Sequence, residues 1–222
     1  MKKSALFALV LMLAIPSASQ ARNLQNTVML GLYGAGGVAW PGGTMSTNYD
    51  AKPAYDYAYA GGGSIAWAPV SFGAIELGAE YAYKRLSVDY VYNGATITET
   101  KNVQFLDFTL GWKGFVSFLY YEAGFLFGLP MGTWKNTAKV DDEDTTPLLG
   151  PDGEVESGYR HPEYGVYFGM GAMYWLGERF ALQAGVQFQG SFTDSYENTK
   201  NPDDNILRSR AVLLKMGAVY CF

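Results

Sequence analysis

Side chains of opposite character alternate along this chain with a period of two, and they do so in eight separate stretches. The clearest runs from Phe180 to Phe192. Phe180, Leu182, Ala184, Val186, Phe188 and Phe192 form one row, and Ala181, Gln183, Gly185, Gln187, Gln189 and Ser191 form the other. Successive side chains of a strand point to opposite faces, so this period predicts β-structure and excludes helices of period 3.6. Ile75 to Tyr83, Leu106 to Trp112, Tyr121 to Leu129, Tyr164 to Tyr174 and Val212 to Phe222 repeat the pattern, and Val28 to Trp40 and Tyr55 to Trp67 carry weaker versions. The predicted strands are 26–40, 55–68, 73–90, 97–113, 117–134, 162–176, 179–193 and 206–222.

The links between them alternate in length. Pro69-Val70-Ser71, Gly114-Phe115-Val116 and Gly177-Glu178 read as tight turns. Pro41 to Ala54, the flanks of Asn93-Gly94, Lys135 to His161 and Asp194 to Asn205 read as longer polar links. Short turns at one end and long loops at the other describe an up-and-down meander, with both chain ends on the short-turn side.

Alternation does not say which row is inside. A water-soluble barrel turns its apolar row inward and shows water a surface rich in Lys and Glu. Here the row opposite the bulky side chains is mostly Gly, Ala, Ser and Gln, small enough to fill an eight-stranded bore. The bulky row holds no acid over about ten residues per strand, the length that crosses a bilayer at a tilt. The expected fold is therefore an all-β, eight-stranded, antiparallel, up-and-down transmembrane barrel with the bulky row facing lipid. Aromatics support it, because Trp67, Trp112, Tyr174, Trp175, Phe180, Tyr220 and Phe222 fall near the short turns, while Trp40, Tyr55, Tyr57, Tyr83, Trp134, Tyr164 and Phe192 fall toward the loops. Amphipathic rings favour the two headgroup levels.

Charge explains what the chain does not do. Only 17% of residues are charged and 16% are aromatic, which excludes disorder. A pI near 4.9 leaves no basic face for nucleic acid. Lys2 and Lys3, the apolar stretch Ala5 to Ile15, and Ser19-Gln20-Ala21 predict a signal peptide over residues 1–21 that is cleaved after Ala21. Its loss removes two Lys and moves the net charge from −5 to −7, leaving residues 22–222 as a single domain. Cys221 is the only cysteine and can form no internal disulfide.

With its signal peptide, its eight alternating segments and the closing Leu214-Lys215-Met216-Gly217-Ala218-Val219-Tyr220-Cys221-Phe222, the chain resembles the small outer-membrane barrels of the OmpA-transmembrane-domain, OmpX and OmpW type. The resemblance covers residues 22–222. It implies integral residence in a bacterial outer membrane, surrounding lipid, and an assembly signal at Tyr220 and Phe222 for the barrel-assembly machinery. It implies a monomer and no cofactor. It fixes no activity, since this fold hosts pores, adhesins and enzymes alike.

Seven charged residues fall on the small-residue row: Glu76, Glu80, Lys84, Asp107, Lys113, Glu122 and Lys215. Counted from the short turns, Glu80, Asp107, Glu122 and Lys215 lie five to seven residues along their strands, which predicts that they meet at similar depth. Two roles suit them. They form a structural plug of paired ions, because an isolated buried charge is very costly, or a gate that passes small solutes and, with acids in excess, favours cations.

No catalytic residue stands out. His161 is the only histidine, and where the resembling lipid A deacylases carry His-x-Ser this chain has Glu163. Asp141, Asp142, Glu143 and Asp144 make an acidic surface loop that lacks the Gly and closing Glu of a calcium-binding loop, so no metal site is expected. Two functions follow as expectations. One is a narrow conduit for small solutes, including apolar ones leaving sideways as an OmpW likeness implies. The other is a closed barrel whose loops contact a host surface ligand or stabilise the membrane, as an OmpX likeness implies.

Overall fold

A computed structural model describes residues 23–42, 52–92, 95–132, 135–140, 143–144, 161–193 and 208–222. The predicted signal peptide lies outside these residues. The described residues form one antiparallel sheet with the strands β1 Thr27–Gly42, β2 Lys52–Ala54, β3 Asp56–Val70, β4 Gly73–Tyr92, β5 Ala95–Val116, β6 Leu119–Pro130, β7 Lys135–Val140, β8 Glu143–Asp144, β9 Glu163–Trp175, β10 Phe180–Ser191 and β11 Arg208–Cys221. Pairing runs from β1 through β3, β4, β5, β6, β9, β10 and β11, and β11 then pairs with β1, so the sheet curls into a barrel. Among the described residues no helix is long and apolar enough to cross a membrane.

Each predicted segment overlaps one strand of this ring. The differences are at the ends. β3 and β4 turn at Ser71 and Phe72, β5 and β6 at Ser117 and Phe118, and the ladder continues right up to Val116 opposite Leu119. Gly114, Phe115 and Val116, and likewise Pro69 and Val70, read as turn residues, are therefore strand residues. The turn needs left-handed backbone instead at Ser117, with φ 58°. Pro69 sits where the β3–β4 register shifts between Trp67 and Val70, a place where its missing N–H breaks no ladder bond. β6 stops at Pro130, short of position 134, and Gly132 turns the chain with φ 61°.

Three short strands occupy stretches read as links. β2 pairs with β4, β7 with β5, and β8 with β7. β2 and β7 attach to the loop end of the β4–β5 hairpin, and β8 extends it through β7; the hairpin's strands of 20 and 22 residues are the longest of the sheet.

Burial alternates as the sequence does. In β10 every second residue from Ala181 to Ser191, apart from Gly185, is buried, while Phe180, Leu182 and Val186 are exposed. The exposed row is apolar along the middle of the strands, with Arg85 and Arg210 on it only toward the loop end, and Leu32 and Met170 show 73% and 71% of their surfaces. Inside, one apolar cluster of Ala39, Ala58, Ala60, Ala82, Leu86, Val103, Phe105, Ala211 and Leu213 lies toward the loops. A second cluster, including Leu24, Met29, Ala66, Ala74, Tyr120, Met173, Val219 and Cys221, lies toward the short turns. Trp175 packs against this lower cluster rather than joining the outer aromatic row.

Candidate functional site: the charged interior

Between the two apolar clusters the strands project charge. Alternation puts Glu76, Glu80 and Lys84 of β4, Asp107 and Lys113 of β5, Glu122 of β6 and Lys215 of β11 on the inner face, and all seven are buried. Many of their cross-strand neighbours are glycines. Gly62 stands opposite Glu80, Gly128 opposite Asp107, Gly169 opposite Glu122 and Gly185 opposite Lys215. A Cβ on Gly169 would lie 2.9 Å from the Glu122 Cγ, and one on Gly128 would collide with the Asp107 Oδ1. These glycines make room for the ions.

The charges divide into two tiers. In the tier nearer the short turns, Lys113 Nζ lies 3.4 Å from Glu76 Oε2 and 3.4 Å from Glu122 Oε2, and donates to Gln183 Oε1 at 3.1 Å. Lys215 Nζ reaches Glu122 Oε1 at 3.4 Å, and Gln187 donates to the same oxygen at 3.2 Å. Tyrosine faces cover both ammonium groups, with Lys215 4.0 Å from the Tyr33 ring centre and Lys113 4.6 Å from that of Tyr120. In the upper tier Lys84 Nζ lies 3.2 Å from Glu163 Oε1, 3.8 Å from Asp107 Oδ2 and 3.2 Å from Ser209 Oγ, while Ser209 donates to Glu163. Glu80 is the register partner of Asp107 and accepts from Gln189 at 2.7 Å. The Tyr33 hydroxyl donates to Glu80 and so ties the tiers together.

Glu80, Asp107, Glu122 and Lys215 therefore do not form a single ring. Lys215 meets Glu122 below, whereas Asp107 meets Lys84 above. Counting from a presumed turn at Gly114 placed Asp107 too low, because β5 runs on to Val116.

The buried ions comprise five carboxylates and three lysines among the described residues. Among the described residues neither Asp107 oxygen, nor Glu122 Oε2, nor Glu163 Oε2 has a protein hydrogen-bond partner, and Lys84 and Lys113 face Asp107 and Glu122 as their counter-charges. Beside Glu76 and Lys113 a cavity of about 10 Å³ is left, also bordered by Met29, Ser64 and Met173. Such a space holds about one water molecule at most.

The remaining predicted residues lie elsewhere. Tyr220 and Phe222 point outward with ring centres 5.0 Å apart, and the Phe222 N–H donates to the Val28 carbonyl at 2.9 Å. Of the acidic loop, Asp141 and Asp142 lie outside the described residues, while Glu143 and Asp144 form β8 opposite Val140 and Lys139. His161 is exposed at the foot of β9. Among the described residues no group of three or more His, Cys, Asp or Glu is arranged to hold a metal ion.

No family model matches this chain, and no curated protein matches it. Solved structures give faint likenesses. The N-terminal β-barrel domain of Pseudomonas aeruginosa OprF is 17% identical over 89% of this chain and 98% of its own, with a TM-score of 0.41. The outer membrane protein AlkL in lipid bilayers is 16% identical over 94% and 95%, with a TM-score of 0.44. The attachment invasion locus protein Ail of Yersinia pestis is 11% identical over 89% and 99%, with a TM-score of 0.39. The role of this chain has to be read from its own residues.

Sequence reading missed Glu163, the main partner of Lys84. It stands one alternation step before Gly165 and Tyr167, so extending the inner row of β9 by two residues would have found it. Gln183, Gln187 and Gln189 were visible on the inner row, but nothing in the sequence marked them as the uncharged partners of Lys113, Glu122 and Glu80.

Proposed function

We propose that this chain is a non-enzymatic, integral outer-membrane barrel whose bore is closed and whose function lies on its loop-end surface, as an adhesin or a membrane-stabilising protein. In this reading residues 22–222 are one monomeric domain of eight up-and-down strands, released from a signal peptide over residues 1–21. β2, β7 and β8 are then additions to the outer end of the β4–β5 hairpin. A strand needs about ten residues to cross the bilayer, and this hairpin has twice that, so its outer half stands clear of the membrane as a platform.

The observation that supports closure is how the described residues pack the bore. Two tiers of ions span it, an apolar cluster caps it at each end, and the interior cavity beside Glu76 is no larger than about 10 Å³. The exposed apolar wall with its aromatic ends supports residence in lipid. Tyr220 and Phe222 then serve as the assembly signal.

A gated conduit is the second reading, and Glu122 favours it. Two lysines share this carboxylate, and one of its oxygens has no hydrogen bond, so the lower tier has alternative pairings to adopt. Planar-bilayer recording on refolded protein separates the two. The closed reading expects silence, together with loss of host-surface binding when residues 136–160 are deleted. Conductance that is lost or enlarged in Glu122→Ala or Lys215→Ala establishes the conduit instead. A change in lipid A mass in expressing cells defeats both.

A further inference from the structure

The two tiers differ in which charges stand face to face. In the lower tier Lys113 is the register partner of Glu122, so unlike charges oppose each other. In the upper tier one cross-strand row runs Gly62, Glu80, Asp107, Gly128, Glu163. Glu80 is thus set directly against Asp107, and Glu163 follows one glycine further on. A side chain on Gly128 would meet both the Asp107 Oδ1 and the Glu163 Cβ, so these two acids are neighbours across that glycine. Like charges directly opposite each other destabilise a sheet, and of two carboxyls sharing a site one holds its proton far more firmly than it would alone.

Counter-charge is short in this row. Lys84 is the buried base of the tier among the described residues, and it stands 3.2 Å from Glu163 but 3.8 Å from Asp107, beyond hydrogen-bonding distance. Three ionised acids would face one cation. Donors are short as well. Glu80 accepts from Gln189 and from the Tyr33 hydroxyl, and Glu163 accepts from Ser209, whereas neither Asp107 oxygen has a donor among the described residues. Gln189 Oε1 likewise has none. The polar groups gathered around Asp107 are therefore Glu80 and Lys84 from β4, Glu163 from β9, Gln189 from β10, Ser209 from β11 and Tyr33 from β1, and the row crosses β3 and β6 at Gly62 and Gly128.

We propose that the upper tier is a proton-binding site, in which Asp107 is a neutral carboxylic acid whose hydroxyl donates to Glu80, and that release of this proton to solvent loosens the tier. A proton supplies a positive charge and a hydrogen-bond donor at once. A metal ion would need several ligands disposed about it, and among the described residues no such group exists. The consequence is a barrel that reads pH. Its folded form holds a proton that an ordinary aspartate has given up at neutral pH, so stability falls as pH rises, by about tenfold in the folding equilibrium constant per pH unit, until the folded barrel itself loses the proton. The inference goes beyond both readings of the bore and holds under either.

Infrared spectra and urea unfolding across a range of pH, both on the full chain refolded into lipid vesicles, test it. At neutral pH wild type should show the carbonyl stretch of an un-ionised carboxylic acid, and its stability should fall as the pH is raised. Asp107→Asn keeps the shape of the neutral acid and cannot ionise. It should fold, lack that band and flatten the pH dependence. An ionised Asp107 gives the reverse, with no band in wild type and with Asp107→Asn less stable than wild type at an unchanged slope. The proposal is overturned by a missing band, by a wild-type stability that does not fall with rising pH, or by a band and slope that persist in Asp107→Asn. Should that variant not fold, the wild-type band and slope still decide.

Discussion

Lys84 and Glu163 belong to strands separated by two others in the sheet, yet their Nζ and Oε1 atoms are 3.2 Å apart across the interior. Their positions in the chain differ by 79 residues. The pair braces the barrel across its width, and Asp107 and Ser209 complete the brace.

Lys84→Met should therefore destabilise strongly. It leaves Glu163 and Asp107 buried without their cation, and breaking a buried pair from one side costs about 3–5 kcal/mol. The double variant Lys84→Met with Glu163→Gln should recover part of that loss. Urea unfolding of protein refolded into lipid vesicles, followed by tryptophan fluorescence, gives both values. Equal stability of Lys84→Met and wild type would show that the brace is dispensable.

Gly169→Val tests the role given to the inner glycines. Its Cβ would lie 2.9 Å from the Glu122 Cγ and 3.1 Å from the Val186 carbonyl, with backbone on one side unable to give way. Overpacking of this kind costs about 1–3 kcal/mol. Gly34 faces outward with nothing within 4 Å of its would-be Cβ, so Gly34→Val should be nearly neutral in the same unfolding assay.

Leu32→Arg addresses the orientation of the wall. Leu32 is among the most exposed apolar residues and stands near the middle of β1. An arginine facing the bilayer midplane costs about 2–4 kcal/mol in a barrel. The folded fraction in vesicles should fall accordingly. If the variant folds in vesicles as well as wild type does, the bulky row does not face lipid.

Phe222→Ala should act in cells more than in the tube. The Phe222 ring lies on the outer surface against Tyr220, and its backbone N–H, which the substitution keeps, supplies the bond to Val28. Refolding into vesicles should change little, while the amount reaching the outer membrane in vivo, read by fractionation and immunoblot, should drop several-fold if the terminal aromatic is an assembly signal.

Much of this architecture was legible because a barrel wall obeys a local rule. Period-two alternation is written residue by residue, so the inward direction of Glu76, Lys113 or Lys215 followed from counting alone. Depth was not legible in the same way. It depends on how neighbouring strands are staggered and on where each turn falls, and Ser117 and Phe118 gave a weaker turn signal than the Gly114 that precedes them. The pairing of Lys84 with Glu163 was hidden for a related reason, since it joins residues through space that no periodicity connects. β2, β7 and β8 were missed because strands of 3, 6 and 2 residues are too short for a period of two to show.

The first and last strands pair with each other, from Met29 opposite Cys221 to Gly42 opposite Arg208. The cylinder is thus zipped along a line that exists only once β11 has been delivered. Until then both margins are open templates for pairing with another chain, and no N-terminal portion can finish early and wait. Losing either β1 or β11 would therefore do more than remove one strand: it would leave the ring permanently unlatched.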